Sequence, residues 1–407
     1  MDEVIDPRLI PEVNIGMLGH VAHGKSTLTL AITGKLTLQH SEELKRGITI
    51  RLGYADATIY KCPKCGKYST SPKCPYCFAD TEPQRTISIV DAPGHETLMA
   101  TVLTGTGIMD GAILVIAANE PCPRPQTLEH LKALEIVGIK NIVIVQNKID
   151  LVTKEQALKN YREIKEFVKG TIAENAPIIP ISAQQKVNID KVLEAIQTHI
   201  PTPKRDAKAD PKMLVARSFD INKPGWTKEK LLGGILGGSI VQGEFKVGDE
   251  IEIKPGVKVN GKYMTLTTEI VGLQKAKKNL EKAGPGGLVG MATKLDPSLT
   301  KSDRLVGNIV SLPGKLPEPV WELRFEAHML ERVVGAEDVK AMPPIKQGEK
   351  LLINVATQRT LGIVNKIKGK EIEVDLRIPL VIEKGEKVVL SRRIAGRWRL
   401  VGYGIVL

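Results

Sequence analysis

The nine residues Gly19-His20-Val21-Ala22-His23-Gly24-Lys25-Ser26-Thr27 constrain this chain more than any others. They fit G-x-x-x-x-G-K-[ST], and they sit between an apolar run, Val13 to Leu18, and a helical pattern that begins at Thr27. A strand feeding such a loop into a helix turns backbone N–H groups of Ala22, His23, Gly24, Lys25, Ser26 and Thr27 inward, where they can hold phosphate oxygens. Glycine lets the backbone wrap that closely. Lys25 is placed to neutralise β- and γ-phosphate charge, and the Ser26 hydroxyl to ligate Mg²⁺.

Up to about residue 200 the rest of the pattern agrees with that start. Ile87–Val90, Ile113–Ile116, Ile142–Val145 and Ile178–Ile181 are short, β-branched runs suited to a parallel sheet covered on both faces. Helical candidates such as Gln126–Val137 and Lys154–Gly170 lie between them. The expectation is a doubly wound α/β domain. Pro201-Thr202-Pro203-Lys204 then breaks the pattern, and beyond it short strands alternate with glycine turns: Gly238–Val241, Phe245–Asp249, Glu250–Ile253, Thr268–Gly272. Pro313–Pro319 is a second break. The reading is three domains, 1–203, 204–318 and 319–407, the last two all-β barrels, with a cysteine-bearing insertion at about 60–80.

Charge divides the same way. Residues 1–200 hold 22 basic and 22 acidic side chains, whereas 201–407 hold 36 and 24, so the whole net charge of +12 lies in the rear half. A neutral front and a basic rear fit a polyanionic partner, although lysines used for solubility would give the same count. Apolar content of 42% is that of a globular protein. The longest uncharged apolar run, Ala112–Ala118, is far too short to span a bilayer, and the acidic Met1–Asp6 lacks the order of a secretory signal. No membrane role and a cytoplasmic location are expected.

Three further motifs follow the phosphate loop, each after a strand. Asp91-Ala92-Pro93-Gly94-His95 puts a carboxylate where it can hold Mg²⁺ through water and a backbone N–H, that of Gly94, where it can meet a γ-phosphate. In Asn147-Lys148-Ile149-Asp150 the Asp150 carboxylate can accept from both N1–H and N2–H of guanine, with Lys148 along the ring. Adenine lacks that donor pair, so the nucleotide is GTP. Ser182-Ala183-Gln184 would complete the base pocket. Within Lys45–Ile50, Thr49 is the candidate hydroxyl that ligates Mg²⁺ only when a γ-phosphate is present. His95 is the candidate for orienting the attacking water. The set predicts a GTPase.

Cys62-Pro63-Lys64-Cys65 and Cys74-Pro75-Tyr76-Cys77 are two C-x-x-C knuckles that can bring four thiolates to one tetrahedral ion. Zn²⁺ is the default in a reducing compartment, iron held by the same four thiolates is the alternative, and four cysteines leave no open position for catalysis. Cys122, the fifth cysteine, is expected to be a free thiol.

Gly24–Thr27, Arg46-Gly47-Ile48-Thr49-Ile50 and Asp91–His95, followed by two barrels, resemble the translational GTPases of the elongation factor Tu type. The four-cysteine insertion narrows the likeness, together with Gly53–Asp56, Ala118–Pro123, Arg217–Gly225 and the glycine-rich Gly233–Gly243. These are similar to the gamma subunit of translation initiation factor 2 of archaea and eukaryotes, over essentially the whole chain and in its short, archaeal form. The resemblance implies the core of a heterotrimer with alpha and beta subunits that carries methionylated initiator tRNA to the small ribosomal subunit. It implies tRNA binding with GTP, release with GDP, and hydrolysis that is slow without the ribosome or an activating partner. It also carries Mg²⁺ and nucleotide roles onto Ser26, Thr49, Asp91, Asn147, Lys148 and Asp150. The methionyl-adenosine end is expected between the GTPase domain and the second domain. One position departs: Ala22 stands where many relatives have aspartate. Competing readings are an elongation-type aminoacyl-tRNA carrier, the GTPase subunit of a sulfate-activating enzyme, and a scaffold in ribosome assembly.

Overall fold

The computed structural model describes residues 5–37, 49, 51–222, 232–330, 343–394 and 396–407. Lys45–Ile48 and Ile50 of the expected switch segment, and Lys223–Gly225, lie outside the described residues. The chain divides into two compact units, Met1–Pro203 and Lys204–Leu407.

In the first unit, strands β1 (Pro11–Gly19), β4 (Glu82–Asp91), β5 (Gly111–Ala117), β6 (Ile142–Asn147) and β7 (Ile178–Pro180) form the parallel part of one sheet. Its order is β3-β2-β4-β1-β5-β6-β7, where β2 is Gly53–Lys61 and β3 is Tyr68–Ser69. The sheet is mixed, because β2 runs antiparallel to β4. The β2 residues alternate between buried and half-buried, the period of a strand covered on one face, while all of β5 is buried. Among the described residues the helices between the strands are α1 (Lys25–Thr33), α2 (Met99–Thr106), α3 (Pro125–Val137) and α4 (Lys154–Val168), with α5 (Ile189–His199) after β7. α3 starts at a proline, which needs no N–H partner there, and Gly170 at φ 71° stands just beyond the end of α4.

Ile15, Met17, Leu28, Ile87, Ile89, Ile113, Val115 and Val145 are fully buried in one core between sheet and helices. Arg85, on β4, locks the end of α5 to it. Its guanidinium donates to the carbonyls of Ile196 (2.9 Å) and Ile200 (2.7 Å) at the helix C-terminus.

In the second unit the strands are β8 (Lys212–Phe219), β9 (Ile235–Gln242), β10 (Phe245–Lys246), β11 (Glu250–Val259), β12 (Lys262–Lys275), β13 (Lys278–Leu280), β14 (Lys282–Ala283), β15 (Val289–Thr293) and β16 (Ile309–Ser311). The ring β11-β16-β8-β9-β15-β12 closes through a β11–β12 pairing. Phe245–Asp249 is only partly strand. Gly248 takes φ 92° and the Asp249 carboxylate accepts from the Lys246 N–H at 2.7 Å, so the chain turns after Lys246.

The closing barrel is β17-β20-β19-β18-β21-β22, built from Val320–Met329 (β17), Lys350–Val355 (β18), Gln358–Lys368 (β19), Glu371–Leu380 (β20), Lys387–Ile394 (β21) and Arg397–Val406 (β22). Phe325, Leu351, Ile353, Val388, Leu390 and Val401 fill it. An α/β domain with two barrels behind it is the fold read from the sequence. Among the described residues no helix is long and apolar enough to cross a membrane.

Candidate functional site

All four motifs emerge at the carboxyl ends of the parallel strands, where an open α/β sheet binds ligands. Gly19 ends β1, Asp91 ends β4, Asn147 ends β6, and Ser182 follows β7. A cavity of about 270 Å³ opens among Gly24, Lys25, Ser26, Thr49, Gly94 and His95, with Gln184 at its other end.

Two of its glycines are required by close approach. A Cβ on Gly94 would lie 2.4 Å from Lys25 Nζ and 2.9 Å from the Val21 nitrogen, so only glycine lets the Asp91–His95 loop come this near the phosphate loop. Gly24, at φ 94°, is the N-cap of α1, and its Cβ would lie 2.2 Å from Asn147 Nδ2. Ala22 also has positive φ, 60°, which costs an L-residue on the order of 1 kcal/mol. Asp and Asn tolerate that conformation better than alanine does.

The Lys25 side chain is buried, and its ammonium donates to the carbonyls of Gly19 (3.0 Å) and His20 (2.8 Å). Burial pushes its pKa down to about 8, and Asp91 opposes that fall only in part. Phosphate charge is what such an ammonium lacks. Beside it, Ser26 Oγ donates to Asp91 Oδ2 at 2.7 Å, and Thr37 Oγ1 donates to the same oxygen at 2.6 Å. Thr49 Oγ1 lies 3.0 Å from Ser26 Oγ. Mg²⁺ prefers hard oxygen ligands at about 2.0–2.1 Å in octahedral geometry, so neighbouring ligands stand about 3 Å apart. The Ser26–Thr49 separation has that spacing, and the donor set suits the ion. Asp91 meets Ser26 by hydrogen bond, which fits a carboxylate that would act on an ion through a ligand or water. Thr37 had no mark in the sequence that assigned it here.

At the other end of the cavity Asn147 is buried and ties three segments together. Its Nδ2 donates to the His23 carbonyl (2.9 Å), and its Oδ1 accepts from the Ala183 N–H (3.0 Å). That commits the Ala183 N–H to Asn147. Ile181 N–H donates to the Gln146 carbonyl (2.8 Å), and Ile149 N–H to the Ile181 carbonyl (3.2 Å), which joins the Lys148–Asp150 turn to the Ser182 loop. Lys148 has φ 65°, and Asp150 is exposed, its carboxylate open to a base. Ser182 is buried, and its Oγ accepts from the Gln185 N–H at 3.1 Å.

The three histidines behind the loop are scaffold. The His23 side chain turns away from the cavity, its Nδ1 3.1 Å from the Val115 carbonyl, and burial lowers its pKa. Only its backbone is available to a nucleotide. His130 on α3 accepts the Gly19 N–H at Nδ1 (2.8 Å), and burial together with the Lys25 charge pushes its pKa down to about 3. It is thus a neutral acceptor bracing the start of the loop, a role that a sequence separation of 111 residues conceals. His20 is also lowered, first by burial and then by Arg124. His95 differs: it is exposed at the cavity mouth, with Nδ1 2.9 Å from the Thr97 hydroxyl.

Cys62, Cys65, Cys74 and Cys77 place their four sulfurs within 4.8 Å of one another, with Cys62–Cys77 and Cys65–Cys74 at 3.5 Å. Zn–S bonds of about 2.3 Å in a tetrahedron imply S–S edges of about 3.8 Å, so the thiols fit a zinc ion. Gly66 and Phe78 complete the two knuckle turns with N–H bonds to the carbonyls of Cys62 and Cys74, 2.9 Å each. The Cys122 thiol is free and raised to about 12 by burial and by Glu163, which leaves it unreactive.

A phosphate loop, a hydroxyl–carboxylate metal cluster and a guanine-type end on an α/β sheet, followed by two barrels, define a GTPase of the elongation factor Tu class. The family comparisons agree: the Elongation factor Tu GTP binding domain matches residues 11–202, Elongation factor Tu domain 2 matches 233–311, and Initiation factor eIF2 gamma, C terminal, matches 321–406. The chain is 63% identical over 400 residues to the translation initiation factor 2 subunit gamma of Pyrococcus horikoshii, covering 97% of each chain. It is 59% identical to that of Methanocaldococcus jannaschii, again covering 97% of each. It belongs to the translation initiation factor 2 gamma-subunit family and is a GTPase of translation initiation.

Among solved structures, bacterial selenocysteine-specific elongation factor EF-Sec superposes with a TM-score of 0.74 at 24% identity, covering 98% of this chain and 58% of that one. Elongation factor SelB from Methanococcus maripaludis, in complex with a GTP analogue, gives 0.72 at 23%, covering 98% and 79%. At that identity the likeness is one of fold.

Proposed function

We propose that this chain carries methionylated initiator tRNA to the small ribosomal subunit under control of GTP, as the core of a factor with alpha and beta subunits. The observation that carries the reading is the meeting of Thr49 with Ser26, which in turn donates to Asp91, at the phosphate loop. Ser26 and Thr49 would ligate Mg²⁺, with Asp91 holding it through water. The Gly94 N–H and the Mg²⁺–Thr49 pair would read the γ-phosphate, so Thr49 would be held with GTP and released with GDP. Lys25 and the backbone of Ala22–Thr27 would hold the phosphates. Asn147, Lys148, Asp150 and the Ser182–Gln184 loop would hold guanine, and His95 would orient the attacking water. The zinc in the cysteine knuckle would be structural.

The expected division into 1–203, 204–318 and 319–407 gives each barrel its own domain in this scheme. A groove of about 570 Å³ on the first barrel, lined by Phe219, Ile221, Val247, Val271 and Leu280, suits an apolar aminoacyl end. The excess of positive charge after residue 200 suits the tRNA phosphates.

The test is protection of methionyl-tRNA against spontaneous deacylation. It compares initiator with elongator tRNA, a non-hydrolysable GTP analogue with GDP, and the chain alone with alpha and beta subunits added. Protection of the initiator alone, and only with the analogue, is expected. Equal protection of both tRNAs would move the reading to an elongation-type carrier. No protection in any state would end it and turn attention to sulfate activation or ribosome assembly.

A further inference from the structure

The second unit holds a groove of about 550 Å³ in which Lys258 and Tyr263 of the β11–β12 hairpin meet Leu352, Arg359, Arg377 and Trp398 of the closing barrel. The hairpin is stiff for a local reason. Val259 pairs with Lys262 across a two-residue turn, and Asn260 (φ 48°) and Gly261 (φ 84°) both lie in the left-handed region that matches strand twist. Tyr263 meets Trp321 of β17 edge to face, with centroids 5.9 Å apart and planes at 67°, which seats the hairpin tip against the closing barrel.

Strand register supplies the opposite wall. Leu351 and Ile353 point into the barrel core, so Leu352 between them points out. Leu352 pairs with Leu361, Asn354 with Arg359, and Gly362 with Leu376. This puts Arg359 and Arg377 on the same outer face as Leu352, diagonal across β19 and β20, a relation of about 7–8 Å. The same alternation, carried through β21, where Leu352 faces Ser391 and Arg393 faces Trp398, brings Trp398 onto that face.

Lys258, Arg359 and Arg377 are all exposed, and among the described residues none of them has a carboxylate within ion-pair distance, nor does any carboxylate line the groove. Three cations without a described carboxylate partner, lining one groove with Leu352, Leu361, Ile378 and the rings of Tyr263 and Trp398, match a chain that alternates anionic linkages with planar rings. An acidic peptide would satisfy the cations but make no use of the Trp398 ring.

We propose that this groove binds a short stretch of single-stranded RNA, with its phosphodiesters on Lys258, Arg359 and Arg377 and a base stacked on Tyr263 or Trp398. The site lies outside the nucleotide pocket and stands whether or not the tRNA-carrier reading does.

The test is fluorescence anisotropy of a labelled octauridylate on the full chain across a salt series, with GDP and with a GTP analogue, alongside quenching of tryptophan fluorescence. Binding is expected to be equal with the two nucleotides. R359A/R377A should weaken it at least tenfold and flatten the salt dependence by about 0.7 per lost phosphate contact. Tyr263→Ala and Trp398→Ala should each weaken it by about tenfold, and Trp398→Phe, which keeps a stacking ring, by much less. Circular dichroism and thermal unfolding, measured on every variant, report that the barrels are folded. The proposal is overturned if the arginine pair leaves octauridylate binding unchanged in folded protein. Competition by a polyglutamate peptide as effective as that by RNA would overturn it in favour of an acidic protein partner. Loss confined to tRNA in the GTP-analogue state, with octauridylate unaffected, would overturn it as well.

Discussion

Asn147 spans 124 residues to donate its Nδ2–H to the main-chain carbonyl of His23 at 2.9 Å, while its Oδ1 holds the Ala183 N–H at 3.0 Å. The base end and the phosphate end of the cavity are therefore one hydrogen-bonded piece. Asn147→Ala removes both partners at once and leaves a buried carbonyl and a buried N–H unsatisfied, at about 1–3 kcal/mol each. The expected result is a loss of about 10- to 100-fold in GDP and GTP affinity and a lower melting temperature for nucleotide-free protein. Titration calorimetry and thermal unfolding read the two effects. Asn147→Asp keeps the acceptor but not the donor, so it should restore only the Ala183 contact.

The Lys25 ammonium, held at about 8 by burial, gives nucleotide affinity a defined pH dependence. In the unfolded chain the same group titrates near 10.5, so between pH 8 and 10.5 the unfolded state binds more protons. Stability of nucleotide-free protein should then rise with pH across that window, by up to about 3 kcal/mol from this group. Nucleotide phosphates favour the charged form, so GDP affinity should fall as pH rises above 8, and binding at pH 9 should take up a proton. Calorimetry in buffers of different ionisation enthalpy counts that proton. Lys25→Met should stabilise the nucleotide-free fold below pH 8 while abolishing binding.

The parts of this site that were legible in the sequence are those whose chemistry demands a residue type at a fixed local spacing. The structure brings Gly24, Lys25, Ser26 and Gly94 to one cavity, Asp91 to Ser26, and the four cysteine sulfurs together, as a wrapped phosphate, a metal beside it and a tetrahedral ion would require. Thr37, His130 and the bracing role of Asn147 were not legible, because each acts across 54 to 124 residues and nothing in its own neighbourhood marks it. In the barrels, glycine turns such as Gly248 and Asn260-Gly261 mark hairpins in one dimension. Closure of β11 onto both β12 and β16 depends on register among distant strands.

His95 is exposed at the cavity mouth, where among the described residues its side chain hydrogen-bonds Thr97, so its imidazole could turn to a water at the γ-phosphate by giving up a surface hydrogen bond. His95→Ala should lower single-turnover GTP hydrolysis by about 10²- to 10⁴-fold, in the presence of whatever partner stimulates it, and leave GTP and GDP affinities unchanged within about twofold. A parallel loss of nucleotide affinity would reassign His95 to binding.

The cysteine cluster is predicted to be structural and local. Its sulfurs sit 3.5 to 4.8 Å apart on two turns with little apolar packing of their own, so without an ion four thiols must share one small space. On the opposite side the insertion meets α5, where Lys67 Nζ lies 4.0 Å from Asp190. Purified protein should contain one metal ion per chain and be colourless, as zinc requires; a visible absorption band would identify iron instead. Cys65→Ser, at the exposed ligand, should release the ion and raise proteolytic cleavage between residues 61 and 81. Because the knuckles leave the sheet at β2 and β3 and contribute nothing to the carboxyl ends of β1, β4 and β6, GTP-analogue affinity should stay within about threefold. Limited proteolysis with mass spectrometry, run beside nucleotide titration on the same preparation, separates this outcome from general unfolding, which would remove both properties together.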